Sequence, residues 1–219
     1  MSRFLKNILL SSFSFLLVVT LFEWGTSRIV RDEMEYKLRK KTNSIILGHS
    51  QPECAYNDSI LSGIQNISRS AESYFYTYYK LKVLTGQNPQ IDNVLLEFTN
   101  NYLDEETVVW TWREDIISNY YPKISATIPL KDKLKLLLKN PSSFLRASSL
   151  AAKERSARIL KGDFNYSGQW GGYNFLKRNE IESSLAHLQN EKKQINLSLS
   201  ENLNLFYLRQ IINYLAQRN

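Results

Sequence analysis

The stretch Ser44–Ser50, which has the sequence SIILGHS, decides the predicted fold. Its short apolar run ends in a glycine, and Pro52 follows closely, which is typical of a buried strand ending in a tight turn. Ser50 therefore lies at the carboxyl edge of a predicted sheet, where open α/β folds place reactive groups. Because serine is also a common turn residue, the stretch alone leaves open whether Ser50 is a nucleophile or closes an ordinary strand.

Segments typical of strands alternate with segments typical of helices along the first half of the chain. Besides 44–47, the predicted strands are 64–67 and 94–99, and a tyrosine-rich helix is predicted over 72–84. This alternation favours a parallel sheet with right-handed crossovers, and so an α/β fold. Beyond Pro122 the pattern becomes helical, with helices predicted over 130–139, 143–160, 179–193 and 201–217.

The N-terminus contains an uncharged run from Asn7 to Phe22. As a helix, these sixteen residues span roughly 24 Å, and a snorkelling Lys6 with an interfacial Trp24 extends the span towards the ~30 Å hydrocarbon core. No A-x-A-like cleavage pattern follows the run. The sequence therefore predicts that residues 1–25 form an uncleaved signal anchor, in preference to a cleaved signal peptide or a buried core helix.

The rest of the chain divides into two predicted parts. Residues 26–42 are dense in both charges and predict a juxtamembrane spacer, and residues 43–219 predict the α/β domain. Positive charges on the two sides of the anchor are nearly balanced, so the charge rule does not decide its orientation. Because the domain follows the anchor, we expect a single-pass protein of the inner (cytoplasmic) membrane with its main domain on the periplasmic, extracytoplasmic side.

Composition excludes several classes of protein. The 219 residues fit one domain, and a hydrophobic content of 43% argues against disorder. One cysteine and two histidines exclude an intramolecular disulfide, a cysteine-built zinc site and a histidine-rich metal cluster, so we expect no cofactor and no metal. The net charge of +7 would suit nucleic-acid binding, but the predicted anchor and the lack of a recognised motif argue against that partner.

Three sequence blocks between Asn43 and Asn101 belong together, namely ILGHSQPECAYNDS, NISRSAESYFYTYYKL and NPQIDNVLLEFTNN. They resemble blocks of the SGNH/GDSL hydrolase superfamily, in its bacterial membrane-anchored branch associated with acylation and deacylation of cell-surface glycans. The resemblance implies a flavodoxin-like, SGNH-type sandwich. Family members continue with a further strand and an Asp-x-x-His block, which is absent here, so the fold is expected to be incomplete at its C-terminus.

The resemblance also implies roles for individual residues. Ser50 takes the place of the nucleophile in the Gly-Asp-Ser block, with His49 in place of the usual aspartate. Ala71 stands where a glycine donates its backbone N–H to the oxyanion, although alanine disfavours a positive φ. Asn100 takes the place of the side-chain oxyanion donor, and Asn101 replaces the aspartate of that block.

The catalytic base is the missing part of this predicted site. A serine hydroxyl needs a base to take its proton, and the base needs a third group to orient it. His187 lies in a helical pattern and is interpreted as a surface histidine. His49 is a weak substitute because neighbouring side chains at a strand end usually point apart.

Lysines and leucines alternate between Leu130 and Lys139. One interpretation is a basic amphipathic surface that meets anionic lipid headgroups or an anionic glycan. The other is a solvated helix face with its leucines in the core, and it is the one we favour from sequence.

Two functional hypotheses follow from the sequence. In the first, the protein is a serine esterase or acyltransferase that acts on O-acyl groups of an extracytoplasmic glycan, with Ser50 forming an acyl-enzyme. In the second, it is a non-catalytic, membrane-tethered protein that binds a glycan or assembles with a membrane acyltransferase. The missing Asp-x-x-His block favours an inactive chain, whereas the motif around Ser50 favours a catalytic ancestry.

Overall fold

The computed structural model describes residues 2–176 and 202–218. The strands are β1 (Ser44–Leu47), β2 (Ile64–Asn66) and β3 (Asn93–Leu96). The helices are α1 (Ser2–Glu33), α2 (Ser50–Ala55), α3 (Tyr74–Gln87), α4 (Glu105–Val109), α5 (Glu114–Ile124), α6 (Leu130–Lys139), α7 (Pro141–Lys161) and α8 (Leu203–Ala216), with a 3-10 helix at Asn100–Leu103. The helix predicted over 179–193 lies outside the described residues.

The sheet has three parallel strands in the order β2-β1-β3. β1 is the central strand, in register with β2 through Ile46 and Asn66 and with β3 through Leu47 and Leu96. All four β1 residues are buried, as expected for a strand covered on both faces. The predicted parallel sheet is therefore confirmed as a small α/β arrangement, in which β2 and β3 end earlier than the sequence suggested.

The aromatic helix α3 forms the main layer on the sheet. Tyr74, Phe75 and Tyr76 are almost completely buried, and α8 packs against the same helix through Tyr207. Asn204 of α8 also accepts a hydrogen bond from the Tyr74 N–H and donates one to the Tyr102 carbonyl. The C-terminal helix thus joins the α3 layer to the carboxyl edge of the sheet.

Helices α5, α6 and α7 form a second helical layer. The Asn140 side chain caps the start of α7 by accepting a hydrogen bond from Ser143 N–H, and Gly162 ends the helix in a left-handed conformation. α7 packs against both α5 and α1. This layer therefore joins the N-terminal helix to the domain.

Helix α1 is long and apolar enough to cross a membrane, and none of its most apolar 18-residue window is buried. The helix continues past the predicted boundary at residue 25 and ends at Glu33. Val30, Met34 and Tyr36, from the segment predicted as a spacer, are buried in the core of the domain. The C-terminal turns of α1 are thus part of the domain.

A buried arginine fixes α1 on the second helical layer. Arg155 of α7 is fully buried, donates to Ser125 Oγ at 2.6 Å, and pairs with the Glu23 carboxylate of α1. Lys133 of α6 reaches the same carboxylate, with 3.7 Å between Nζ and Oε1. Breaking a buried pair leaves an uncompensated charge, so this contact holds α1 in one orientation.

Candidate functional site

The predicted site residues follow the carboxyl ends of the three strands. Ser50 comes after β1, Ala71 after β2 and Asn100 after β3. The strands are parallel and aligned, so these loops meet at one edge of the sheet. A backbone hydrogen bond of 3.0 Å from Arg69 N–H to the Gly48 carbonyl joins the first two loops.

His49 contacts the Ser50 hydroxyl, with 3.1 Å between Nδ1 and Oγ. The sequence-based expectation that these neighbouring side chains point apart is therefore wrong. The alternation of side chains applies within a strand, whereas β1 ends at Leu47 and the chain turns into α2 at Ser50. His49 lies at this junction, and its imidazole is brought back over the first residue of the helix.

The His49 side chain is largely buried. Tyr102 packs against it with ring centroids 4.6 Å apart, and Tyr102 is itself stacked on Tyr74. Burial lowers the pKa of His49 below its usual range, because the imidazolium form loses solvation. The imidazole is therefore neutral at pH 7, the form that accepts a proton.

Glu97 lies on the far side of the imidazole. Its Oε1 is 3.6 Å from His49 Nε2, and its Oε2 accepts a 2.7 Å hydrogen bond from the His49 backbone N–H. Burial raises the pKa of the Glu97 carboxyl, and the hydrogen bond from His49 N–H opposes that rise. Ser50, His49 and Glu97 thus form a line from hydroxyl to imidazole to carboxylate.

The approach of Glu97 requires a glycine at position 48. A Cβ on Gly48 would lie 2.4 Å from Glu97 Oε2 and 2.5 Å from Pro52 Cγ. Neither contact is sterically allowed without movement of the carboxylate or of α2. Gly48 is therefore needed for close packing of the carboxylate against the β1–α2 turn.

Ala71 has a left-handed backbone with φ at 61°, the conformation that makes glycine the usual residue at such a position. The loop is held by Ser70, whose N–H and hydroxyl both donate to the Glu53 carboxylate of α2. Within the described residues, the main-chain N–H groups of Ser50 and Ala71 have no hydrogen-bond acceptor. One of these two donors belongs to the serine itself, and the other belongs to the loop that follows β2 at the same edge of the sheet.

A buried ion pair between Glu72 and Lys80 lies next to the loop that contains Ala71. Glu72 and Lys80 are both buried and in contact, and Lys80 Nζ also donates to the Ile67 carbonyl at 2.7 Å and to the Trp170 carbonyl at 3.1 Å. Burial raises the pKa of Glu72 and lowers the pKa of Lys80, and each charge opposes the shift of the other. The pair fixes the end of β2 to α3.

Asn100 begins the 3-10 helix that follows β3, and its side chain lies outside the described part of the structure. His187 also lies outside the described residues. The described residues contain no group of three or more His, Cys, Asp or Glu side chains that could hold a metal ion.

Two surface clefts lie on either side of α2. One, of about 570 Å³, is lined by residues that include Gln51, Pro52, Glu97 and Phe98. The other, of about 500 Å³, is lined by residues that include Glu53, Arg69 and Lys123. Ser50 is exposed at the start of α2, but neither cleft is lined by Ser50 or His49.

Sequence reasoning missed Glu97 as the carboxylate beside the His49 imidazole and Glu53 as the hydrogen-bond acceptor of Ser70 in the Ala71 loop. The sequence could have indicated a role for Glu97, because it is a charged residue inside the apolar run VLLEFT. A carboxylate in a predicted buried strand needs a hydrogen-bonding or charged partner. Nothing in the sequence distinguished Glu53, because a glutamate in a short helix is common.

A scan against protein-family models and searches of curated proteins and of solved structures found no match to this chain.

Proposed function

We propose that the protein is a membrane-anchored, SGNH-like serine esterase or acyltransferase in which Ser50 forms an acyl-enzyme with His49 as its base. The observation that carries the proposal is the 3.1 Å contact between His49 Nδ1 and Ser50 Oγ. A base within hydrogen-bond reach of a serine hydroxyl can take its proton, which is the first geometric requirement for an activated serine. The parallel order β2-β1-β3 supports the finer assignment to a flavodoxin-like sandwich.

Acylation begins when Ser50 Oγ attacks the carbonyl carbon of an ester and its proton passes to His49 Nδ1. The imidazolium that forms is stabilised by the Glu97 carboxylate beside Nε2. Collapse of the tetrahedral intermediate breaks the ester bond, and the imidazolium returns the proton to the departing alkoxide. Water or a second sugar hydroxyl then attacks the acyl-serine with His49 again as base, which gives hydrolysis or transfer.

The tetrahedral oxyanion needs preorganised donors. In the proposal these are the main-chain N–H groups of Ser50 and Ala71, both without an acceptor among the described atoms, together with the Asn100 amide. One such donor is commonly worth about 3 kcal/mol of transition-state stabilisation. The left-handed φ of Ala71 supports its assignment, because it is the backbone conformation that the family's glycine adopts most easily.

The substrate in this proposal is an O-acyl group of an extracytoplasmic glycan. The support is the resemblance of the three blocks and the long apolar helix α1. With α1 as an inner-membrane anchor and the domain on the periplasmic side, the site acts on cell-surface polysaccharide. A membrane acyltransferase that supplies the acyl group is the partner expected from the same resemblance.

One observation favours the non-catalytic alternative. The 3.6 Å between His49 Nε2 and Glu97 Oε1 is longer than a hydrogen bond, so the imidazole is not clamped as in a complete triad. In that case the protein is a tethered glycan-binding or assembly protein that lacks the Asp-x-x-His block.

The full chain in detergent tests the proposal through hydrolysis of an activated acetyl ester. We expect turnover above the solvent rate that is lost in Ser50→Ala and retained in Ser142→Ala, a serine at the start of α7 far from the site in sequence. Equal turnover by the wild type and Ser50→Ala would reject the catalytic proposal in favour of the alternative.

A further inference from the structure

Helix α6 has apolar side chains on two opposite faces. Leu136 is buried in the core, whereas Leu130, Leu134 and Leu138 are 71%, 47% and 82% exposed. The expectation that the leucines of this helix lie in the core is therefore wrong for these three. A helix periodicity of 3.6 residues cannot show which of two apolar faces meets the core.

The three exposed residues form a leucine stripe (Leu130, Leu134 and Leu138) along the helix. Residues four apart lie one above another on a helix, so the stripe is continuous over two turns. Leu136 and Asp132, which are buried, lie on the opposite side. The stripe therefore faces away from the domain.

Lysines border the leucine stripe. By helical spacing, Lys131 and Lys135 follow one side of it and Lys133 follows the other. Lys131 is exposed and has no ion-pair partner among the described residues. A band of leucines edged by lysines is the pattern of a helix that lies in a membrane interface.

The position of α6 relative to α1 is the decisive observation. Lys133 Nζ lies 3.7 Å from Oε1 of Glu23, which is the first charged residue after the apolar run of α1. Trp24, 68% exposed, is at the same level, where tryptophan favours the border between hydrocarbon and headgroups. α6 is therefore held at the level at which α1 leaves the hydrocarbon.

With α1 as the proposed anchor, we propose that α6 lies in the surface of the same bilayer, with the leucine stripe among the acyl chains and Lys131 at anionic lipid phosphates, while Lys133 and Lys135 stay paired with Glu23 and Asp132. Long lysine side chains reach headgroups while their stems lie on apolar surface. We infer a bilayer as the occupant of the stripe, because the Lys133–Glu23 contact places α6 beside the end of the apolar run of α1 and the positive charge of Lys131 complements anionic lipid. The domain thus has a second membrane contact and a fixed orientation on the membrane.

Fluorescent labels placed at single cysteines test the proposal in the full chain. With Cys54→Ser as background, the label is attached at Leu134→Cys or Leu138→Cys, and at Ile60→Cys as a control. Ile60 is 79% exposed, as Leu138 is, and belongs to the loop between α2 and β2. The proteins are reconstituted in vesicles of phosphatidylethanolamine and phosphatidylglycerol, and quenching by doxyl-labelled lipid is compared with quenching by iodide.

We expect lipid quenching at positions 134 and 138 to exceed that at position 60 several-fold, and iodide quenching to show the opposite order. Equal accessibility to iodide at all three positions would overturn the proposal. Labels at 134 and 138 that are shielded from both quenchers would also overturn it, because they would place a protein surface on the stripe. Circular dichroism in detergent checks that each variant is folded, and the two stripe positions serve as independent tests.

Discussion

The imidazole Nδ1 of His49 lies 3.1 Å from the Oγ of Ser50, although the two residues are adjacent in sequence. The contact arises because the chain changes from strand to helix between them, and it uses the ring nitrogen nearer to the main chain. Nε2 is then left to face the Glu97 carboxylate. In the proposed mechanism, His49 serves as the base, so no histidine from a distant block is required.

The first prediction concerns pH. Burial lowers the pKa of His49 from its ordinary value of 6.5, so the base stays deprotonated to lower pH than a free histidine does. The rate of Ser50 acylation should rise with pH through an inflection below about 6.5 and be flat above it. Stopped-flow acylation with an activated ester measures this profile. An inflection above pH 7 would show that His49 is not the titrating base.

The second prediction concerns Glu97. Glu97→Gln keeps an oxygen that accepts from His49 N–H but removes the negative charge beside the imidazolium. We expect acylation to slow by about 10- to 100-fold, which corresponds to roughly 1.4–2.7 kcal/mol of lost charge stabilisation. Glu114→Gln is the matched control, because Glu114 pairs with Arg146 on the exposed surface of α5. A rate that responds equally to both substitutions would remove Glu97 from the mechanism.

The third prediction concerns the left-handed backbone of Ala71. Ala71→Gly should raise the free energy of unfolding by about 0.5–1 kcal/mol, because glycine adopts a φ of 61° without the Cβ clash. In α7, Ala152→Gly should instead lower it by about 1 kcal/mol. Urea unfolding in detergent, followed by tryptophan fluorescence, measures both. A loss of stability in both variants would contradict the strained conformation.

The fourth prediction concerns the buried ion pair between Glu72 and Lys80, next to the loop that contains Ala71. Lys80→Met leaves the Glu72 carboxylate buried without its cation and should cost about 3–5 kcal/mol of unfolding free energy. The double variant Glu72→Gln with Lys80→Met should recover a large part of this loss. Urea unfolding in detergent, followed by tryptophan fluorescence, measures the unfolding free energies of the single and double variants. If the double variant is as unstable as the sum of the two single variants, the pair is not coupled.

The sheet could be predicted from sequence because its signal is local. β1 was predicted with its observed ends, because three consecutive apolar residues lie between Ser44 and Gly48. The positions of Ser50 and Ala71 at the carboxyl edge followed from the parallel order. The ends of β2 and β3 were less accurate, because a strand ends where its pairing ends and pairing is not local.

The remainder depended on tertiary contacts. The approach of His49 to Ser50 results from the turn into α2, and the role of Glu97 from the early end of β3 after Leu96. On α6, the periodicity identified an amphipathic helix. The leucine stripe was expected in the core, but it is exposed on the surface. For Glu97 and for the leucines of α6, the deciding contacts are with residues distant in sequence, whereas the His49–Ser50 contact follows from the local change from strand to helix.

Covalent labelling by a fluorophosphonate probe tests the central claim most directly, because the probe reacts with activated serines and the modified residue is found by mass spectrometry. For the full chain we predict labelling at Ser50, abolished in Ser50→Ala, strongly slowed in His49→Gln and unchanged in Ser142→Ala. Absence of labelling at Ser50 in the folded wild-type protein, or labelling of equal rate in His49→Gln, would contradict the account of an activated Ser50–His49 pair.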